Sequence, residues 1–232
     1  MTPSFTRGAM RQALKRPLRK LSDLRRENSG LAFIEFAFAA PIFLSIGLTG
    51  TETAYYVITH MQVSQIAMQV ADNASRVGEA TVLEDKRVFE DDITEVFVGA
   101  EKLGANIDVF EQGRLILSSL QQNSENGQWI AWQRCRGKKN HNSSYGVEGD
   151  GSSGTSFAGM GANSTKITAS PGTAVMFVEI SYTYKSLTPF NFLEGREIDY
   201  TAAFNIRDSR DLTRIYGASD GQAVASCAQF TA

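Results

Sequence analysis

Residues 31–50 form an apolar run broken only by Glu35, Pro41, Ser45 and Thr49. A helix of that length rises about 30 Å, the thickness of the hydrocarbon core of a bilayer, so the run can span one. Pro41 reads as a kink or a local break in backbone pairing, tolerated where neighbouring helices pack around it. After Gly50 the composition changes while the helical period continues. Val63, Ile66, Ala67, Val70, Ala71, Ala74 and Val77 recur at steps of three and four, with Gln62, Gln65, Gln69, Asp72, Asn73 and Arg76 on the other faces. Gly78 is a stop signal. The pattern predicts one continuous helix over 31–78, apolar all round in its first half and amphipathic in its second. A half-buried stripe needs a cover, and a sheet built from the rest of the chain would supply it.

The pattern beyond this helix changes twice. Within 79–104, Val82, Leu83, Phe89, Ile93, Val96, Phe97, Ala100 and Leu103 keep helical spacing between acidic residues and predict a second helix. Residues 106–111 and 114–120 then cluster β-formers around Gln112-Gly113, which reads as a hairpin, and 127–135 reads as a third strand preceded by an Asn126-Gly127 turn. Residues 136–172 are rich in Gly, Ser and Asn, too poor in apolar side chains to bury much area, and read as a long surface loop. Strands are expected again at 174–184 and 198–207, on either side of a Leu-Thr-Pro-Phe-Asn-Phe-Leu corner. The expected class is α+β: a long N-terminal transmembrane helix continuing into an amphipathic helix, packed on a mainly antiparallel β-sheet domain.

Charge orients this plan. Residues 1–30 hold eight basic side chains against two acidic ones, net +6, while the remaining chain holds 15 against 23, net −8. A basic leader inside and an acidic body across the membrane follow the positive-inside rule. A nucleic-acid arm or a transit peptide is the alternative, but neither requires an apolar run directly behind the charges. Ala39-Ala40-Pro41 also imitates the end of a secretory signal, although an apolar region of this length exceeds the usual one. Glu35 is the anomaly. A carboxylate in lipid is costly and reads first as functional, and residues 36–55 contain no Lys, Arg or His to neutralise it. Cleavage after Gly30 would create a cation, the α-amino group of Leu31, that a packed neighbour could present to Glu35.

Gly30, four apolar residues, Glu35 and the aromatic Phe36 resemble the class III leader of type IV pilins, in the form found in the TadE/TadG-like pseudopilins of the Tad (tight adherence) pilus. The resemblance implies that a membrane aspartyl prepilin peptidase cuts after Gly30, that Leu31 becomes the mature N-terminus, and that Glu35 aligns incoming subunits. The main pilin of that system is a short chain, so 232 residues point to its longer pseudopilins. The likeness is clear over the first 50 mature residues and loose over 174–214, where a strand, a Pro/Phe-rich corner, a second strand and Arg207, Arg210 and Arg214 match the family's ending. It implies a structural and assembly component, not an enzyme, with no cofactor, in a bacterial inner membrane with its C-terminal domain periplasmic. Implied partners are the prepilin peptidase, other pilin or pseudopilin subunits, the Tad inner-membrane assembly platform and membrane lipid. The corresponding division is a leader at 1–30, the extended helix at 31–78 and a periplasmic domain at 79–232.

Other chemistry is sparse. Cys135 and Cys227 can pair in an oxidising compartment, closing a loop of about 90 residues; the alternative is two free thiols. His60 and His141 lack a second ligand at metal spacing. Gly154-Thr155-Ser156-Phe157-Ala158 lacks the second glycine of a nucleophile elbow, and the Gly149–Gly154 stretch fits neither an EF-hand nor a phosphate loop. Trp129, Trp132, Tyr182, Tyr184, Phe190 and Phe192 could stack bases, but the acidic body would repel phosphates, so no nucleic-acid partner is expected and the aromatics read as core. Asn142-Ser143-Ser144 and Asn163-Ser164-Thr165 match a glycosylation pattern that the leader argues against. Glu52, just past the apolar run, is expected to emerge into the headgroup region as the helix leaves the bilayer; the alternative is a second buried carboxylate. The competing functional reading is an uncleaved, signal-anchored periplasmic module whose β domain binds or senses a ligand, with an anchored hydrolase behind it.

Overall fold

A computed structural model describes residues 29–81, 84–162, 164–189, 191–217 and 224–232. The expected leader up to residue 28, together with Val82, Leu83, Asn163 and Phe190, lies outside the described residues. The chain divides into two compact units, 1–51 and 52–232. Helix α1, Ser29–Arg76, runs without a break through Pro41. Within the first unit the large apolar side chains Leu31, Phe33, Ile34, Phe36, Phe38, Ile42, Phe43, Leu44 and Ile46 are exposed. Ser45 Oγ donates to the Pro41 carbonyl at 2.7 Å, a local bond within the turn that follows the proline. This is a helix long and apolar enough to cross a membrane.

The second unit is an α+β domain. Strands β1, Glu79–Thr81, and β2, Glu84–Arg87, form a small antiparallel pair. Helix α2, Glu90–Leu103, a 3₁₀ turn at Ala105–Ile107 and the single-turn helix α3, Val109–Gln112, follow. The main sheet contains β3, Gly113–Gln122, β4, Gln128–Arg136, β5, Ala174–Thr183, and β6, Glu197–Asn205, in the order β4-β3-β5-β6. Every neighbouring pair in it is antiparallel.

The two-residue period of β5 fills both sheet faces. Ala174, Met176, Val178, Ile180 and Tyr182 point to one side, against Val63, Ile66, Ala67, Val70, Ala71 and Ala74 of α1 and Ile93, Val96, Phe97 and Ala100 of α2. Val175 and Phe177 point to the other, where they join Leu120, Ile130, Met160 and Ala169. The stripe read from the sequence is therefore the face that α1 buries in its own domain.

Three expectations are corrected. Residues 79–81 and 84–87 are strands, not the start of a helix; the later segment around 209–216 pairs alongside β2, where Lys86 N donates to the Ser209 carbonyl and Tyr216 N to that of Val88. Helix α2 begins only at Glu90, where Asp92 Oδ2 accepts from Phe89 N at 2.8 Å and three acidic residues occupy the first turn. Residues 106–111 form no strand, and Gln112-Gly113 no hairpin. Asp108 adopts a left-handed conformation that turns the chain so that Ile107, Val109 and Phe110 all enter the core. A short apolar cluster suits either period, and burial decided this one. The hairpin is β3 to β4, closed where Asn123 Oδ1 accepts from Glu125 N and Gly127 N and Asn126 takes φ 66°.

The third correction concerns burial in the loop expected at 136–172: beyond β4 its described residues form no helix or strand, as expected, but part of them packs on the outer sheet face. Met160 is fully buried there, and Gln128 exchanges two hydrogen bonds with the Ala169 backbone. The glycines permit close approach: a Cβ at Gly151, φ 76°, would lie 2.1 Å from the Gln128 carbonyl oxygen.

Arg210 closes the end of α1. Its guanidinium donates to the Ala74 carbonyl at 3.2 Å and the Val77 carbonyl at 2.7 Å, satisfying acceptors that a helix terminus leaves open. Arg210→Met is expected to cost about 1 to 3 kcal/mol, read as a lowered unfolding midpoint of the detergent-solubilised full chain.

Candidate functional site

Gly30, Leu31, Glu35 and Phe36 all lie in the first two turns of α1, and all are exposed. A Cβ built on Gly30 meets nothing within 4 Å, so packing among the described residues does not require glycine there. Glu35 makes no hydrogen bond or ion pair with any described residue, and its surroundings on the helix are Leu31, Ile34, Phe38 and Ala39. The segment therefore presents one carboxylate on an apolar, unpartnered surface.

Glu52 is the other carboxylate of α1, and the structure corrects its expected place. It is 0% exposed, covered by its own domain. Oε1 accepts from Tyr184 Oη at 2.7 Å and from Leu187 N at 3.3 Å, and Oε2 accepts from Thr188 N at 2.8 Å. One carboxylate thus ties α1 to the end of β5 and to the corner that follows. Burial, and then the Glu52 carboxylate, push the Tyr184 hydroxyl well above the ordinary tyrosine range, so it remains a donor. Tyr55 and Tyr56 pack on the Tyr184 ring, and His60 lies edge-on to Tyr56 and faces Tyr200. His60 is accordingly part of an aromatic cluster.

A third arrangement surrounds Arg114 at the start of β3. Cys135 and Cys227 form a disulfide. The bridge lays residues 224–232 along β4, where Cys135 N donates to the Ala225 carbonyl and Gly137 N to that of Thr231. Arg114 is 1% exposed and donates to the carbonyls of Gly137, Gln229 and Cys227, with Phe230 stacked 4.1 Å from its guanidinium carbon. Among the described residues no carboxylate pairs with it, and desolvation lowers its pKa without threatening its charge. Beside it lies a cavity of about 520 Å³ whose lining includes Gln133, Arg134, His141, Ser143 and Glu148. Arg134 spans Glu90 and Glu148, and Glu179, its pKa raised by burial, accepts from Ser143 Oγ and Ser144 N.

The structure joins Cys135 to Cys227 and keeps Gly30, Leu31, Glu35 and Phe36 together on one helix. Of the aromatics weighed as a stacking platform, Trp132, Tyr182 and Tyr184 are buried, and Phe192 is exposed. Among the described residues no three His, Cys, Asp or Glu side chains gather in a metal-holding group. Sequence reasoning missed Arg114, whose local signal is a charge at the start of a strand that carries no other. Comparison with protein-family models, with curated proteins and with solved structures returns no match in any of the three.

Proposed function

We propose that this chain is a TadE/TadG-like minor pseudopilin, an assembly component of a Tad-type adhesive pilus, processed by a prepilin peptidase after Gly30. The observation that carries the reading is the surface of α1. Its first half exposes apolar side chains all round, and its second half, with one face buried in its own domain, exposes Val57, Ile58, Met61 and Met68 on another. A helix with two apolar faces and one internal cover is suited to packing against helices of other subunits. In lipid, small residues such as Ala37, Ala39, Ala40 and Gly47 permit close approach, and an unpaired Glu35 can accept the terminal ammonium of a neighbour. The sheet domain, on this reading, is periplasmic, where the Cys135–Cys227 bridge can form.

Substitution of Gly30 by valine tests the peptidase step in native membranes. The expected product is a precursor about 3 kDa heavier than the processed form, since the leader is no longer removed. Normal processed size in that variant would overturn the assignment. Glu35→Ala should be inserted and processed but should co-purify with fewer partner subunits. The cavity beside Arg114 favours a second reading, an uncleaved anchored module that binds a ligand. N-terminal sequencing separates the two: a chain beginning at Leu31 supports the pseudopilin, and one retaining residues 1–30 supports the anchor.

A further inference from the structure

The two-residue period of β3 and its register with β4, Ile116 opposite Cys135 and Ser118 opposite Gln133, put Arg114, Ile116, Gln133 and Cys135 on the outer face of the sheet. These four form the floor of the cavity of about 520 Å³, and its walls come from within residues 141–148 and 224–228. That volume falls in the range of small-molecule sites. The lining mixes apolar side chains such as Val147 and Val224 with polar ones.

Charge in the cavity is unevenly matched. Arg134 is paired with Glu90 at 2.6 Å and Glu148 at 3.1 Å, whereas Arg114 donates only to carbonyls. Of the guanidinium's N–H donors, Nη1 serves Gly137 and Gln229 and one hydrogen of Nη2 serves Cys227. Nε has no acceptor among the described residues. A buried cation without a counter-charge draws an anion more strongly than it would in water. His141 and Asn142 line the same cavity, and their side chains make no hydrogen bond with any described residue, so both have polar atoms to offer. Two carboxyl groups oppose an anion. Glu148 Oε2 accepts from Gln133 N and Arg134 Nη1, and Glu179 accepts from Ser143 Oγ and Ser144 N, with burial pushing its carboxyl up. They limit what the cavity can take: one negative charge balances Arg114, and a second would meet Glu148.

We propose that this cavity is a binding site for a small organic monoanion, its carboxylate drawn to Arg114 and its polar groups met by His141 and Asn142. The site lies within the second unit, so it goes beyond the pseudopilin reading and does not depend on where the mature chain begins. For the anchored-module reading it names the class of ligand.

Titration calorimetry of the full chain in a non-ionic detergent tests this with gluconate and benzoate, their neutral counterparts glucose and benzamide, and inorganic phosphate. Saturable binding of at least one carboxylate is expected, about tenfold tighter than its neutral counterpart and tighter than phosphate. Joint replacement His141→Ala and Asn142→Ala, which breaks no side-chain hydrogen bond among the described residues, should weaken it severalfold. Glu148→Gln should tighten it severalfold by removing the opposing charge. Arg114→Met should abolish it, with the unfolding midpoint showing whether the domain is intact; if that variant does not fold, the other two carry the test. Failure of both carboxylates to bind overturns the site. Equal binding of the neutral counterparts, or an affinity unchanged by the His141 and Asn142 replacements, overturns it as well. Tighter binding of phosphate overturns the monoanion assignment. N-terminal sequencing decides the pseudopilin reading separately, so the two can fail independently.

Discussion

Replacing Cys135 and Cys227 together by alanine is expected to lower the stability of the second unit by about 4 to 5 kcal/mol, the chain-entropy value for a loop of this length. The bridge joins residues 92 apart in sequence. The loss should be concentrated in one place. Without the bridge, residues 224–232 keep, among the described residues, the backbone bonds from Cys135 N and Gly137 N, the donations from Arg114, the Phe230 ring on its guanidinium and the packing of Ala225 on the core. As that segment leaves, Arg114 loses the Cys227 and Gln229 carbonyls and the Phe230 ring, keeps its bond to the Gly137 carbonyl, and is opened to water on the side the segment covered. Water can then replace the lost carbonyls, so Arg114→Met should cost more with the bridge intact than on the cysteine-free background. Hydrogen exchange of the Cys135 and Gly137 amides follows the segment directly. Faster exchange at both, against unchanged exchange in β5, is the expected pattern. Unchanged exchange at these amides in the cysteine-free protein would show that the segment stays in place without its bridge.

What the sequence made legible divides along the range of the interactions. The stripe from Val63 to Ala74 is a local, repeated signal, and α1 buries that face. The strands β3 to β6 were readable because two-residue alternation and β-branched side chains are also local. The pairing of β2 with residues 209–216 depends on backbone bonds across more than a hundred positions, so the helical spacing of Val82, Leu83 and Phe89 gave no warning of it. The 137–173 loop misled for a related reason. Composition counts apolar residues, while burial there depends on a few of them, Met160, Ala169 and the partly covered Phe157 and Ile167, meeting an apolar sheet face. The candidate residues show the same division. Gly30, Glu35 and Phe36 form a motif along the chain, whereas Arg114 and Arg210 acquire their roles from carbonyls supplied by distant segments.

Glu52 joins both kinds of information, and Glu52→Ala carries the other large expected effect. The wild-type carboxylate accepts from three donors, Tyr184 Oη, Leu187 N and Thr188 N, and alanine leaves all three without an acceptor. At about 1 to 3 kcal/mol for each buried donor left unsatisfied, and with some relaxation of the loop, a loss of about 3 to 6 kcal/mol is expected. Glu52→Gln retains an acceptor oxygen, so its loss should be smaller. Tyr184→Phe removes one donor, and adding it to Glu52→Ala should cost less than the sum of the single changes, because the phenylalanine no longer needs the missing acceptor. Chemical unfolding of the detergent-solubilised chain measures all four variants. Strict additivity of Glu52→Ala and Tyr184→Phe would mean that their 2.7 Å contact contributes nothing, and the carboxylate would then act through the two loop amides alone. Position 52 matters beyond stability because its carboxylate joins α1 to the Leu187 and Thr188 amides. Releasing it should free the loop while the stripe from Val63 to Ala74 holds the sheet, a separation visible as faster amide exchange at Leu187 and Thr188 with Val178 and Ile180 still protected.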